Sequence, residues 1–135
     1  MLYKIIEHNH IISSVETEIF THDLESVCKV TGASEQDILQ LKEGECFKVC
    51  GKVADFDISA SNSKKVYMTV EDVLKDISCK YSVTPVVLYD WGGKEYEQFE
   101  FKDIADGNIP NGYLQKRVKY WKQHAKDGVV NITVG

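Results

Sequence analysis

The chain has 135 residues, the length of one ordinary domain. Hydrophobic residues make up 43% and charged residues 27%, with two prolines and nine glycines, which excludes a disordered, collagenous or low-complexity chain. No run approaches the roughly 18 apolar residues of a membrane helix, and the formal net charge of −5 argues against indiscriminate nucleic-acid binding.

The first eight residues lack the apolar stretch of a signal peptide, so the expectation is a soluble, cytoplasmic protein. Residues 2–12 are rich in β-formers, among them Leu2, Tyr3, Ile5, Ile6, Ile11 and Ile12. Residues 15–20 alternate Val15, Thr17 and Ile19 with Glu16, Glu18 and Phe20. One or two strands are expected here, with His8-Asn9-His10 as an exposed turn.

A helix then opens at 21–23, capped by Asp23 or Thr21, with Leu24, Val27, Cys28 and Val30 on its apolar side. Residues 31–34 stop it. Ser34 caps a second helix with Asp37 three residues on, and Ile38, Leu39 and Leu41 form its inner face, up to Gly44. The spacing around Gly32 resembles a helix-turn-helix, but Glu35 and Asp37 at the front of the second helix repel phosphate. A helical hairpin packed on the rest of the domain is the better reading.

From residue 45 the period changes to two. Phe47, Val49, Gly51 and Val53 share one face, and Cys46, Lys48, Cys50 and Lys52 the other. Residues 59–63 are small and polar, hence a loop. Val66, Met68 and Val70 then alternate with Lys65, Tyr67 and Thr69, and Ile77, Cys79 and Tyr81 with Ser78 and Lys80. A strand at 86–89, a Gly92-Gly93 turn and a strand at 96–101 follow. After the Asn111-Gly112 turn, Leu114, Val118, Trp121 and Ala125 fall at helical spacings over residues 113–126, and a last strand runs over 129–134.

The stretch 45–81 resembles the first three strands of an oligonucleotide/oligosaccharide-binding (OB) fold of the tRNA-anticodon-like type. The resemblance rests on Val49, Gly51 and Val53, then Tyr67, Thr69, Val70 and Asp72, then Ile77 and Cys79. It implies a small antiparallel OB-like β-barrel or curled sheet, and with the N-terminal helical hairpin and the C-terminal helix read from the spacing the expectation is an α+β protein. The expected core is Val49, Val53, Met68, Val70 and Ile77. The whole chain, 1–135, reads as a single domain, with the barrel-like part at about 45–135 and the N-terminal strands and helical hairpin at about 1–44.

Charge and aromatic placement supply the functional expectation. Residues 113–135 hold five basic groups and one acid, whereas residues 1–50 hold four and nine. Lys48, Lys52, Tyr67 and Lys80 fall on the outward face of the three strands, Lys64 and Lys65 in the loop, and Lys116, Arg117, Lys119 and Tyr120 on the C-terminal helix. Lysines that neutralise phosphates beside a ring that stacks a base are the equipment of single-stranded DNA or RNA binding. The alternative is a protein-interaction module, or a small inhibitor of a nucleic-acid-binding protein, whose Glu35, Asp37, Glu43 and Glu45 meet a basic partner.

No catalytic or phosphate-loop motif is present, so the expectation is a binding protein rather than an enzyme, without cofactor or metal. Cys28, Cys46, Cys50 and Cys79 contain no C-x-x-C pair and are expected to be reduced, small, buried residues.

Overall fold

A computed structural model describes residues 1–11, 16–62, 64–77, 79, 81–123 and 128–135. The chain divides into two compact units, residues 1–65 and 66–135.

The first unit begins with β1 (Leu2–Asn9) and β2 (Glu16–Thr21). Helices α1 (Leu24–Thr31) and α2 (Glu35–Leu39) follow, and then β3 (Cys46–Cys50) and β4 (Ala54–Ser61). The strands lie in the order β3-β4-β1-β2, every pair antiparallel. Register places Ile5 between Ile19 and Ile58, and Tyr3 between Thr21 and Ala60. All six are buried, and each of the three isoleucines contributes about 1.5–3 kcal/mol by leaving water.

The two helices start where their caps dictate. The Asp23 carboxylate accepts from the Ser26 amide, and Ser34 Oγ accepts from the Asp37 amide. Val27 and Ile38 are their fully buried apolar residues. The helical hairpin of the sequence is therefore present, though α2 ends at Leu39, well before Gly44.

The second unit contains α3 (Val70–Asp76), β5 (Pro85–Tyr89), β6 (Glu95–Glu100), α4 (Phe101–Ala105), α5 (Asn111–Leu114), β7 (Val118–Gln123) and β8 (Val130–Val134). Its strands lie in the order β7-β8-β5-β6. The sheet is mixed, because β5 and β8 run parallel while β7/β8 and β5/β6 are antiparallel. Register puts Trp121, Ile132 and Leu88 in one row and Val130 and Val86 beside them. These residues are buried, as are Val70, Val73 and Leu74 of α3.

This architecture corrects the barrel expectation. The protein is mostly β, with eight strands and five short helices among the described residues. Taken unit by unit, β3 does not pair with β2 and β7 does not pair with β6, so among the described residues neither sheet closes into a barrel. Of the three expected barrel strands only the first is present among the described residues.

Residues 65–70 make one isolated bridge, Thr69 to Arg117, and then enter α3. The cause is a capping box: Asp72 N donates to Thr69 Oγ1 at 3.3 Å, and Thr69 N donates to Asp72 Oδ2 at 3.0 Å. Residues 77, 79 and 81 lie in no strand, and Ser78 and Lys80 lie outside the described residues. Accordingly the expected core does not assemble. Val70 is buried but as the first residue of a helix, Val49 and Ile77 are half-buried, and Val53 and Met68 are 57% and 46% exposed.

Two further expectations change. The C-terminal helix is instead α5 followed by β7. A bulge between Val118 and Tyr120 inserts Lys119, so the inward residues Val118 and Trp121 stand three apart, as they would on a helix. The loop expected at 59–63 is largely the end of β4. Ser59, Ala60 and Ser61 are poor strand formers, but they are held in the ladder beside β1, and Ala60 is buried. None of the described helices is long and apolar enough to cross a membrane.

Candidate functional site

The sheet of the second unit has one face filled by Trp121, Ile132 and Leu88, and alternation sends their neighbours to the other. There Tyr89, Thr133 and Tyr120 form one row across β5, β8 and β7, and Val87, Asn131 and Lys122 form the next. Tyr89, Tyr120, Lys122, Asn131 and Thr133, with Gly93 of the β5–β6 turn, line a groove of about 250 Å³.

The turn is built for its place. Gly93 adopts φ +89°, a conformation open to glycine and strained for other residues, and its amide donates to the Asp90 carbonyl at 3.0 Å. Asp90 Oδ1 accepts from the Lys94 amide at 2.8 Å. These bonds hold Trp91 where its ring packs edge-on against Tyr120, with centroids 6.3 Å apart. The ammonium of Lys119, the bulge residue, lies 5.0 Å from the centre of the Trp91 ring, a cation–π distance.

Chemically the groove offers flat aromatic surface, amide and hydroxyl groups, and positive charge. Asn131 Oδ1 is sealed from solvent and has no hydrogen-bond partner among the described residues, a condition that costs about 1–3 kcal/mol until a donor reaches it. Residues 108–126 include Lys116, Arg117, Lys119, Lys122 and Lys126 and no acid, so the strand beside the groove is locally basic in an acidic chain.

The residues singled out from the sequence are scattered relative to this groove. Tyr120 lines it, and Lys119 reaches it through Trp91. Lys116 and Arg117 are exposed just before β7, and the Lys116 carbonyl accepts from the Val70 amide. Tyr67 is not an open stacking platform. Its ring packs on Trp121 with centroids 4.9 Å apart, and its hydroxyl donates to Asp76 Oδ2. That hydrogen bond, then burial and the Asp76 charge, push its pKa up to about 12.

Lys48, Lys52, Lys64 and Lys65 belong to the first unit. Lys48 is exposed on β3 with Nζ 4.0 Å from Asp57, Lys52 sits in the β3–β4 turn, and Lys64 and Lys65 are exposed beyond β4. Lys80 lies outside the described residues. Among the four acids of the alternative reading, Glu35 and Asp37 are exposed in the first turn of α2. Glu43 accepts from Asn62 and Glu45 from the Lys42 amide.

Lys122 was read only as one of the basic residues of a C-terminal helix, and Tyr89, Trp91, Asn131 and Thr133 were not singled out by sequence. The missed signal was the strand character of 118–123, which would have paired Tyr120 and Lys122 on one face.

A second polar cluster lies on the first unit's sheet. His8 Nε2 is 2.9 Å from Asp57 Oδ2 and His8 Nδ1 is 3.4 Å from Glu16; His10 Nε2 is 3.1 Å from Asp55 Oδ2. The bond to Asp55 raises the His10 pKa, and the same bond lowers that of Asp55. Among the described residues no group of three His, Cys, Asp or Glu side chains is arranged to hold a metal ion. The expectation of small buried thiols fails for Cys46 and Cys50, which are exposed on β3; Cys28 and Cys79 are half-buried, and none of the four is in a disulfide.

No protein-family model, curated protein or solved structure matches the chain.

Proposed function

We propose that the protein is a non-catalytic binding protein for single-stranded nucleic acid, and that it acts through the groove of its second unit. The observation that carries this reading is the groove on this sheet face, where the half-buried Tyr89 and Tyr120 stand beside Lys122 and Asn131. Aromatic side chains on a β-sheet stack unpaired bases, and lysines at their margin meet the phosphates that connect them. Lys122 in the groove and Lys119 over Trp91 supply that charge at the site itself. The overall charge of −5 then favours binding confined to this basic strand over coating of any polyanion.

The experiment is a fluorescence-anisotropy titration of the full chain against short single-stranded DNA and RNA, with a duplex of the same length as comparison, at two salt concentrations. Binding of single strands in preference to duplex, weakening as salt rises, is expected. If Lys119 and Lys122 each neutralise one phosphate, the log–log salt slope is about −1.4, at roughly −0.7 per contact. Absence of binding to any single strand at low salt rejects the reading.

A further inference from the structure

The edge strand β3 reads Cys46-Phe47-Lys48-Val49-Cys50, chemically the same in both directions about Lys48. In the order β3-β4-β1-β2 its outer side has no strand neighbour among the described residues. We infer that β3 is a self-association edge, on which a second copy of the chain adds its own β3 antiparallel about a two-fold axis at Lys48.

The hydrogen-bond pattern fixes which backbone groups are open. Gly51 N donates to Ala54 O at 3.1 Å and closes the β3–β4 turn, so Gly51 and Ala54 are a bonded pair. Bonded and non-bonded pairs alternate along an antiparallel ladder. The bonded pairs are therefore Val49 with Phe56 and Phe47 with Ile58. Cys46, Lys48 and Cys50 sit opposite Ser59, Asp57 and Asp55 in non-bonded pairs, and their N–H and C=O groups point outward.

A second β3 running antiparallel, centred on Lys48, meets all of these groups with its own open ones. Its side chains then fall into place on both faces. On the face toward the core, Phe47 and Val49 are half-buried in one chain, and self-pairing sets each Phe47 opposite the other chain's Val49, covering apolar surface that one chain leaves wet. On the other face Cys46 stands opposite the other chain's Cys50. The two Lys48 ammonium groups meet at the axis, which alone would repel, but Asp57 and Asp55 follow on β4 in each chain, and Asp57 already lies 4.0 Å from Lys48. The sheet face across the axis thus alternates acid, base, base, acid.

Such a contact is isologous and closes at two copies. A five-residue ladder is far smaller than the roughly 1,600 Å² of a standard interface, so the dimer is weak and concentration-dependent.

The cysteines report on it. Directly opposed residues of a bonded pair have Cα atoms about 5.5 Å apart, within the roughly 4.4–6.8 Å that a disulfide spans. The full chain, with Cys28 and Cys79 replaced by serine, is oxidised with copper–phenanthroline after its mass has been followed by sedimentation equilibrium. A reversible monomer–dimer equilibrium and a cross-linked dimer containing a Cys46–Cys50 disulfide are expected. In the same background Cys46→Ser or Cys50→Ser alone abolishes the cross-link, because like cysteines are offset along the ladder, and mixing the two variants restores it as a heterodimer. Lys48→Pro, which removes an outward N–H together with the Lys48 ammonium, shifts the equilibrium to monomer with an unchanged circular dichroism spectrum. A chain that remains monomeric at its highest concentration overturns the inference. So does cross-linking that survives in either single-cysteine variant alone.

Discussion

The Tyr67 hydroxyl donates to Asp76 Oδ2 at 2.6 Å, joining a residue three positions before helix α3 to the helix's last residue. The bond clamps the short helix end to end and lays the Tyr67 ring on Trp121 of β7. The bond first, then burial and the Asp76 charge, raise the phenol's pKa from 10.0 to about 12. A folded-state pKa above the unfolded one gives stability that is complete below pH 10 and is lost as pH rises through 12. In an ultraviolet titration of the tyrosines the highest-pH component is expected to belong to Tyr67. Its disappearance from the Tyr67→Phe titration is the check, and a titration with that component intact refutes the assignment.

His10 and Asp55 define a second pH window. Their hydrogen bond holds the His10 pKa above 6.5 and that of Asp55 below 3.8. The histidine's share of stability is present below 6.5 and lost as pH rises through its folded value. The aspartate's share is present above 3.8 and lost as pH falls through its own. The pair is therefore complete between these two ordinary values. An NMR titration of the His10 ring should give a midpoint above 6.5 that returns toward it in Asp55→Asn. A midpoint indifferent to Asp55→Asn would remove the bond from the account.

The capping box that opens α3 has a measurable worth. Thr69→Ala removes the side-chain acceptor of the Asp72 amide and should destabilise the protein by about 0.5–2 kcal/mol. Asp72→Asn weakens the acceptor of the Met68 and Thr69 amides. These two amides hold the Asp72 pKa below 3.8, so the wild-type advantage over Asp72→Asn should be present above that value and shrink as pH falls through the folded pKa. Denaturant melts at neutral and acid pH measure both effects, and a pH-independent difference counts against the carboxylate's role.

Two valines separate the observed core from the one expected of a barrel. Val70 is 1% exposed and Val53 is 57% exposed. Val70→Asp buries an unpaired charge and should unfold the second unit, since such a charge costs more than a domain of about 5–15 kcal/mol stability holds in reserve. Val53→Asp lies in the β3–β4 turn and should leave the melting temperature nearly unchanged. The reverse order of sensitivity would restore the barrel placement.

The same residues mark what could be read in advance. The strand character of β1 and β2, the Asp23 and Ser34 caps of the first unit's helices, the β5–β6 hairpin at Gly92-Gly93 and β8 were legible, because local chemistry and tertiary structure agree there. By contrast His8 and Asn9, expected in a turn, lie in β1, and Leu39, expected inward on α2, is exposed. The misreadings arise where one local pattern imitates another. Thr69-Val70-Glu71-Asp72 alternates like a strand and caps like a helix, and the cap prevails because Val70, Val73 and Leu74 bury one face. Lys119 does the opposite in β7, where a bulge gives a strand the spacing of a helix. The groove was illegible for that reason: its residues converge only when β7, β8 and β5 are laid side by side, and the β5/β8 parallel pairing leaves no mark in sequence.

Within that groove the stacking and electrostatic contributions are separable. Tyr120 lines the groove and bears edge-on on Trp91. Its ring is half-exposed on the sheet face away from Trp121, so Tyr120→Ala removes a stacking surface without opening the core. The loss expected is about 1–3 kcal/mol of affinity for single strands, with the salt slope unchanged, because no phosphate partner is removed. Lys122→Ala should weaken binding at low salt and make the slope shallower by about 0.7, the signature of one lost phosphate contact. Asn131→Leu fills the same place without the sealed carboxamide oxygen. It should stabilise the free protein and weaken the complex, since the orphaned acceptor then costs nothing before binding and gains nothing from it. Anisotropy titrations of the three variants at two salt concentrations, beside their thermal melts, make the comparison. Equal losses of affinity and equal slopes in Tyr120→Ala and Lys122→Ala would show that neither side chain touches the strand in the manner described.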